Sequence, residues 1–243
     1  MKQYVKHFLN ISFIIAIGWG LLVVIQYLQN PNHFPIKKIE IHLLNGKTKS
    51  EDITNAITAE LAGGFFKVNI EAVKNNLLSL PWLAEVMVKR DWPDTIILEI
   101  KEHTALAQWG QAGILDTEGV VFYPAAAEIP LNLPLFFGPA SRSKEMVKEY
   151  LKILQALHTT HLSVKELLLS NQGAWEIKLD NEIKLILGKT AFNERLGRFT
   201  KIYRKHLQVL QPAVAYIDLR YTNGLALGWK AGHSRPIISE VIE

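Results

Sequence analysis

The longest apolar run of the chain, Phe8 to Tyr27, is about twenty residues long and uncharged, with Asn10, Ser12 and Gln26 as its strongly polar members. At about 1.5 Å per residue, a helix of that length spans the roughly 30 Å hydrocarbon core of a bilayer. Lys2 and Lys6 precede it with no acid alongside, which predicts a cytoplasmic N-terminus and export of everything after Tyr27. A cleaved signal peptide shares the basic start, but its apolar core is about 7–15 residues and small residues mark its cleavage point. Gln26 to Phe34 contains no A-x-A pattern, so the run reads as an uncleaved anchor, and its length argues against a buried helix of a soluble protein.

Asn30 to Pro35 follows as a short stiff linker, because both prolines disfavour helix. Ile36 to Leu43 becomes period-two from Ile39 and predicts a half-buried strand, closed by a turn at Asn45-Gly46. Ser50 then reads as an N-cap, Glu51 and Asp52 suit the positive end of a helix dipole, and Ile53, Ile57 and Leu61 share one face before Gly63-Gly64. A second helix opens at Asn69, carries Val73, Leu77 and Leu80, and stops at Pro81. Trp82–Arg90 and Thr95–His103 read as two strands around an Asp91–Asp94 turn, with Ile96, Leu98 and Ile100 on one face of the second. Strand, helix, helix, strand, strand in about 70 residues predicts a three-stranded sheet covered on one face by two helices.

The second half is mixed. Short strands are expected at 107–109, 113–116 and 120–122, then a proline-punctuated loop around Leu135-Phe136-Phe137. A helix over 141–158 turns Met146, Tyr150, Leu154 and Leu157 inward; strands follow at 164–169, 175–179 and 183–187. A helix over 191–210 carries Phe192, Leu196, Phe199 and Tyr203 at three- and four-residue steps. The closing pair, 216–221 and 225–230, hinges on Thr222-Asn223-Gly224, and Asn-Gly is a strong hairpin signal because both residues accept positive φ. Residues 231–243 show no clear period and read as a disordered tail.

Charge and composition remove several function classes. Setting aside Lys2 and Lys6, 25 basic residues face 23 acidic ones, with no run of five like charges and no basic face for nucleic acid. Cysteine is absent, which excludes thiol chemistry and thiolate-bound metal, and leaves an exported chain to stabilise itself by burial. His158 and His161 lack the third ligand a zinc site needs and read as solvent-facing residues at a helix end. Gly63-Gly64 sits in no phosphate-binding pattern, and Ser170, His161 and Asp180 carry no G-x-S-x-G context. Trp82 reads as packing beneath the first two soluble helices, and Trp92-Pro93 as shaping a turn. No catalytic residue, cofactor or metal is expected.

Several ordered motifs carry a resemblance: Leu80-Pro81-Trp82-Leu83-x-x-Val86-x-Val88-Lys89-Arg90-x-Trp92-Pro93, Leu98-x-Ile100-x-Glu102 with Ala105-x-Ala107-x-Trp109, and Ile114-Leu115-Asp116-x-x-Gly119-x-x-Phe122. Leu133-Pro134-Leu135-x-x-Gly138-Pro139 follows, and the most specific is Tyr216-Ile217-Asp218-Leu219-Arg220-Tyr221-x-Asn223-Gly224-x-Ala226-x-Gly228-Trp229. Over nearly its whole length the chain resembles the bacterial FtsQ/DivIB cell-division family. The resemblance implies an α+β protein: a cytoplasmic N-terminus (1–7), a transmembrane helix (8–27), a linker (28–35), a POTRA domain of β-α-α-β-β order (36–104), an FtsQ-type β domain with a mostly antiparallel sheet (105–230), and the tail (231–243).

It further implies a non-enzymatic divisome scaffold in the inner membrane, single-pass with its bulk periplasmic and enriched at the division septum. Such a scaffold links early and late division proteins and helps control septal peptidoglycan synthesis. FtsB-like and FtsL-like bitopic partners would bind the β domain and its last strands; other divisome proteins would bind the POTRA domain. The partner-binding residues expected from the resemblance are Arg220, Tyr221, Asn223, Gly224, Gly228 and Trp229. Leu225–Lys230, last in sequence, suits a sheet edge that accepts a partner strand, and Gly228 would admit a partner backbone closely. On the residues alone, Tyr221 and Trp229 read as core; the resemblance moves them to an interface. Thr104 stands where the family often has proline and Asn223 where it commonly has serine. Asn171 and Gln172 lie near a position that is basic in some relatives, so that contact is not carried over. The rival readings are a membrane-tethered cell-wall enzyme, which wants paired carboxylates or a metal cluster, and an outer-membrane assembly or secretion factor, for which too little chain remains to build a barrel.

Overall fold

The protein is described by a computed structural model covering residues 2–43, 46–207 and 213–232, with side chains described from Ser12 onward. The chain forms two compact units, Met1–His103 and Thr104–Glu243. Asn45 of the expected Asn45-Gly46 turn, the last residues of the expected 191–210 helix, and the tail from His233 lie outside the described residues.

In the first unit, α1 runs Lys2–Leu28, 27 residues. Every described side chain from Ser12 to Tyr27 is exposed, among them Phe13, Trp19, Leu21 and Val24. Phe8 to Ile11 of the apolar run lack described side chains, and among the described residues no helix is long and apolar enough to cross a membrane. After α1, the Tyr27 ring stacks on His33 at 4.2 Å and Phe34 meets Phe66 edge-on at 5.0 Å. Gly64 makes this approach feasible: its φ is +80°, and a Cβ there would lie 2.9 Å from the Pro31 Cα.

Strand β1 (Lys38–Leu43) pairs parallel with β3 (Thr95–Glu102), which pairs antiparallel with β2 (Leu83–Asp91), giving the order β1-β3-β2. Helices α2 (Ser50–Leu61) and α3 (Ile70–Leu78) cover one face, burying Ile53, Ile57, Val73 and Leu77 against Val86, Ile96, Leu98 and Ile100. That is the alternation read from β3. Asn69 caps α3 as expected, its side chain accepting from the Glu71 and Ala72 amides, both at 3.1 Å. Ser50 does not cap α2: it is the first helical residue, and the N-cap, Lys49, has no side-chain cap bond.

The amides just upstream are instead held from across the unit. Glu102, 1% exposed, accepts from the Lys47 amide at 2.9 Å and the Thr48 amide at 2.6 Å, while Lys47 Nζ sits 4.3 Å from the buried Trp82 ring. Glu102→Ala leaves two amides without their acceptor, and losing such charge-assisted bonds costs about 2–4 kcal/mol of stability. Urea unfolding of the full chain is expected to show this loss in the first unit's transition, with Glu102→Gln intermediate.

The second unit is one nine-stranded sheet. Its strands are β4 (Ala105–Trp109), β5 (Gly113–Asp116), β6 (Val121–Phe122), β7 (Leu135–Phe137), β8 (Val164–Leu169), β9 (Trp175–Leu179), β10 (Lys184–Gly188), β11 (Val214–Asp218) and β12 (Ala226–Trp229), in the order β12-β11-β10-β9-β8-β7-β4-β5-β6. Five of its pairings are antiparallel; β10–β11, β7–β8 and β4–β7 are parallel. Parallel neighbours need a crossover, which α4 (Ser143–Leu157) supplies between β7 and β8, and α5 (Phe192–Ile202), extended by a π-helical turn at Tyr203–Leu207, between β10 and β11. Both helices therefore share one sheet face and enclose the core of Phe136, Met146, Ile153, Leu167, Ile177, Leu185, Phe199 and Ile217.

Two expectations change here. Leu135-Phe136-Phe137 is a central strand with Phe136 fully buried, although the prolines around it suggested a loop. On α4 the inward residue is Ile153, at 0% exposure, and Leu154 is 40% exposed. Met146, Tyr150, Ile153 and Leu157 alternate four- and three-residue steps, which keeps them on one stripe that Leu154 leaves.

Candidate partner-binding site

The chain order of the second unit determines where it ends. The α5 crossover lays β11 beside β10, and β12 then folds back antiparallel to β11 as the terminal strand of the sheet. Among the described residues, β12 has a neighbour on one side only.

Backbone alternation identifies the free groups. The Lys230 N–H donates to the Ala213 C=O at 2.9 Å, so Trp229 opposite Val214 is a non-hydrogen-bonded pair, and its own N–H and C=O face away from β11. A bulge at Ala215 sets Tyr216 opposite Gly228, and the count continues: Ala226 and Gly228 bond inward, whereas Leu227 and Trp229 present N–H and C=O outward. The Leu227 and Trp229 side chains pack partly against the core beneath α5, while Gly228 and Tyr216 lie on the opposite face.

Gly228 serves a neighbour within the sheet. A Cβ at this position would collide with the Tyr216 ring, which crosses over it from β11. The space expected for a partner backbone above Gly228 is thus filled by Tyr216, which remains 44% exposed. Beyond Tyr216, the uncovered sheet face carries half-buried ion pairs, Lys184–Glu176 at 2.6 Å and Lys178–Glu166 at 3.3 Å, around a depression of about 320 Å³ that also includes Leu168. These pairs set a charge pattern and contribute little stability.

The loop between β11 and β12 is not the expected Asn-Gly turn. Neither Asn223 nor Gly224 has positive φ, and among the described residues no backbone–backbone hydrogen bond closes residues 220–225. Side chains hold it instead. Asp218, 6% exposed, accepts from the Arg220 amide at 3.0 Å, from Arg220 Nε at 2.9 and 3.0 Å, and from Arg220 Nη2 at 2.6 Å. From α5, Arg195 donates to the Leu187 and Arg220 carbonyls, and Arg198 Nη1 donates to the Tyr221 carbonyl at 2.6 Å and the Gly224 carbonyl at 2.8 Å.

The six residues expected at an interface thus occupy one corner of the sheet. Arg220 is tied to Asp218; Tyr221, 59% exposed, and Asn223 stand outward; Gly224 leads into the edge strand; Gly228 and Trp229 belong to the strand itself. His158 and His161 are exposed, and among the described residues no three His, Cys, Asp or Glu side chains gather to hold a metal.

Comparison with known proteins accounts for both units. Residues 34–103 match the family described as "POTRA domain, FtsQ-type", and residues 107–220 match "Cell division protein FtsQ/DivIB, C-terminal". The chain belongs to the FtsQ/DivIB family of cell division proteins. It is 32% identical to the cell division protein FtsQ of Coxiella burnetii over 211 residues, covering 87% of each chain. It is 32% identical to FtsQ of Aliivibrio fischeri, covering 92% of this chain and 87% of that one, and 28% identical to FtsQ of Escherichia coli K12, covering 90% and 80%.

The C-terminal FtsQ/DivIB match reaches the corner through Arg220, and four residues that hold this corner were not expected at the site: Tyr216 and Asp218, which the sequence marked only as part of the family motif, and Arg195 and Arg198, which it did not mark at all. The arginines sit among the polar positions of an amphipathic helix, where their only signal was charge. Asp218 differs from an ordinary surface acid in its ionisation. Hydrogen bonds from the Arg220 side chain, with lesser help from the Arg220 amide and the charge of Arg195, hold its carboxyl below the usual value of 3.8. A carboxylate with a lowered folded pKa contributes stability above its unfolded pKa and loses it as pH falls through the folded one. The Arg220 amide resonance, which reports on Asp218 directly, is therefore expected to stay constant from pH 8 to pH 5 and to titrate with a midpoint below 3.8. A midpoint above that value would contradict the tie.

Proposed function

We propose that this member of the FtsQ/DivIB family is a non-enzymatic divisome scaffold that binds FtsB-like and FtsL-like bitopic proteins at the β12 corner. It thereby links early and late division proteins at the septum and helps control septal peptidoglycan synthesis. The observation that carries the reading is the edge of β12: two residues, Leu227 and Trp229, with outward N–H and C=O groups beside the exposed Tyr221. A partner strand laid there completes backbone hydrogen bonds, and flanking side chains select it. Arg220, Tyr221, Asn223, Gly224, Gly228 and Trp229 are the contact set, with Gly228 acting through its neighbour Tyr216. The POTRA unit receives other divisome proteins.

In the same reading α1 anchors the chain in the inner membrane, with the N-terminus inside and everything after Tyr27 in the periplasm. Its support is the uncharged Phe8–Tyr27 run behind Lys2 and Lys6, and the exposure of every described side chain from Ser12 to Tyr27. Tethering to one membrane raises the effective concentration of both partners, so a short strand pairing suffices for stable capture.

The test is capture of the purified extracytoplasmic regions of the same organism's FtsB-like and FtsL-like proteins by the full chain in detergent. Capture that a competing edge-strand peptide reverses is expected. No capture of either, or turnover of peptidoglycan by the chain, would overturn the scaffold reading.

A further inference from the structure

The loop that presents Tyr221 is closed by a side chain rather than by its own backbone. Tyr221 to Gly224 is a four-residue reversal, and in an ordinary turn the first carbonyl accepts from the fourth amide. That bond is absent here, and Gly224 does not adopt the positive φ that would favour a tight hairpin. One nitrogen of α5, Arg198 Nη1, donates instead to the carbonyls of the first and fourth residues, Tyr221 and Gly224, at 2.6 and 2.8 Å. It bridges the two arms that a turn bond would have joined.

Arg195, three residues earlier on the same helix, fixes the entrance to the same loop. Its Nη1 reaches the Leu187 carbonyl at 2.5 Å and its Nη2 the Arg220 carbonyl at 3.1 Å, tying the end of β10 to the start of the loop. Gly188 leaves room for this: its φ is +74°, and a Cβ there would lie 3.0 Å from Arg195 Nη1 and 3.1 Å from Arg220 Cγ. A guanidinium suits the task because its N–H groups diverge in a fixed plane, so it reaches two carbonyls at once without reordering.

We infer that Arg195 and Arg198 are positioning residues for partner capture: they hold the 220–224 loop so that Tyr221 and the edge of β12 are presented in one fixed arrangement. They act through the loop and need not touch the partner. The inference rests on the proposed partner site, but its first observable does not.

The experiment compares the full chain in detergent with Arg198→Met, which keeps the stem and removes the donors, and Arg198→Lys, which keeps a donor. Amide hydrogen exchange over 221–225 is expected to quicken about tenfold or more in Arg198→Met and less in Arg198→Lys, with exchange in β8 and β9 unchanged. Capture of the FtsB-like region is expected to weaken about tenfold in Arg198→Met and to recover partly in Arg198→Lys. In a Tyr221→Ala background, Arg198→Met is expected to weaken capture far less, because the contact it positions is already gone. Unchanged exchange over 221–225, faster exchange throughout the unit, or an equal loss of capture in both backgrounds would overturn the inference. If the unaltered chain captures no FtsB-like region, the proposed function fails, and the exchange measurement alone decides whether Arg198 holds the loop.

Discussion

Tyr221→Ala is expected to weaken capture of an FtsB-like partner about 30-fold or more while leaving the melting temperature within a degree or two of the original. The ring is 59% exposed and is absent from the core cluster, so removing it uncovers little that the fold had buried. Exposed aromatics beside a free strand edge are the side chains whose truncation costs an interface about 2 kcal/mol or more. Trp229→Ala makes the informative contrast. Its side chain packs partly on the core beneath α5, so this variant is expected to lose stability, about 1–3 kcal/mol by the usual worth of partly buried aromatic area, as well as capture. Isothermal titration beside thermal melts separates the two. Equal stability losses in both variants would mean that Tyr221 is a structural residue.

Leu227→Pro is expected to reduce capture by about 30- to 100-fold, the equivalent of 2–3 kcal/mol for a lost backbone bond and a partner carbonyl left unpaired. The reason is directional. The Leu227 N–H faces away from β11, so proline removes a donor that the fold itself does not use, and an edge strand tolerates proline at such a position. Leu227→Ala is the control, because it loses the same side-chain packing and keeps the N–H. The proline variant is expected to lose capture and the alanine variant to retain most of it. If both bind alike, the partner is read through side chains and strand addition is excluded.

Local signals in the sequence located nearly every element whose residues alternate or recur over several turns. The buried face of β3, the cap at Asn69, and the stripe of Leu196, Phe199 and Tyr203 all follow from local pattern alone. Elements whose identity depends on distant partners were not legible. Three residues between prolines look like a loop until β4 and β8 flank Leu135–Phe137 on both sides. Ser50 looks like a cap until Glu102, more than fifty residues on, takes the amides upstream of α2.

The candidate site divides in the same way. Its position at a sheet edge was readable, because the strand that ends the chain's last hairpin has no later strand to cover it among the described residues. Its construction was not. Asn223-Gly224 carries the signature of a two-residue turn, yet a seven-residue connection separates β11 from β12, and Arg198 closes it from another element. Gly228 carries the signature of close backbone approach, and the approaching group proves to be the ring of Tyr216 on the adjacent strand. The chain does reverse at the first and is closely approached at the second, but neither by the means expected: Asn223 and Gly224 lack positive φ, and the space over Gly228 goes to a side chain of the same sheet. What satisfies them is tertiary.

The central claim is that a partner adds a strand to β12. Residue-resolved amide exchange on the full chain, with and without the extracytoplasmic region of its FtsB-like protein, tests this most directly. Gly228 and Lys230 bond inward and are expected to exchange slowly in both states, whereas Leu227 and Trp229 are expected to exchange freely alone and to slow at least tenfold on addition of the partner. Tight binding that leaves the Leu227 and Trp229 amides exchanging as they do in the free chain would contradict the claim.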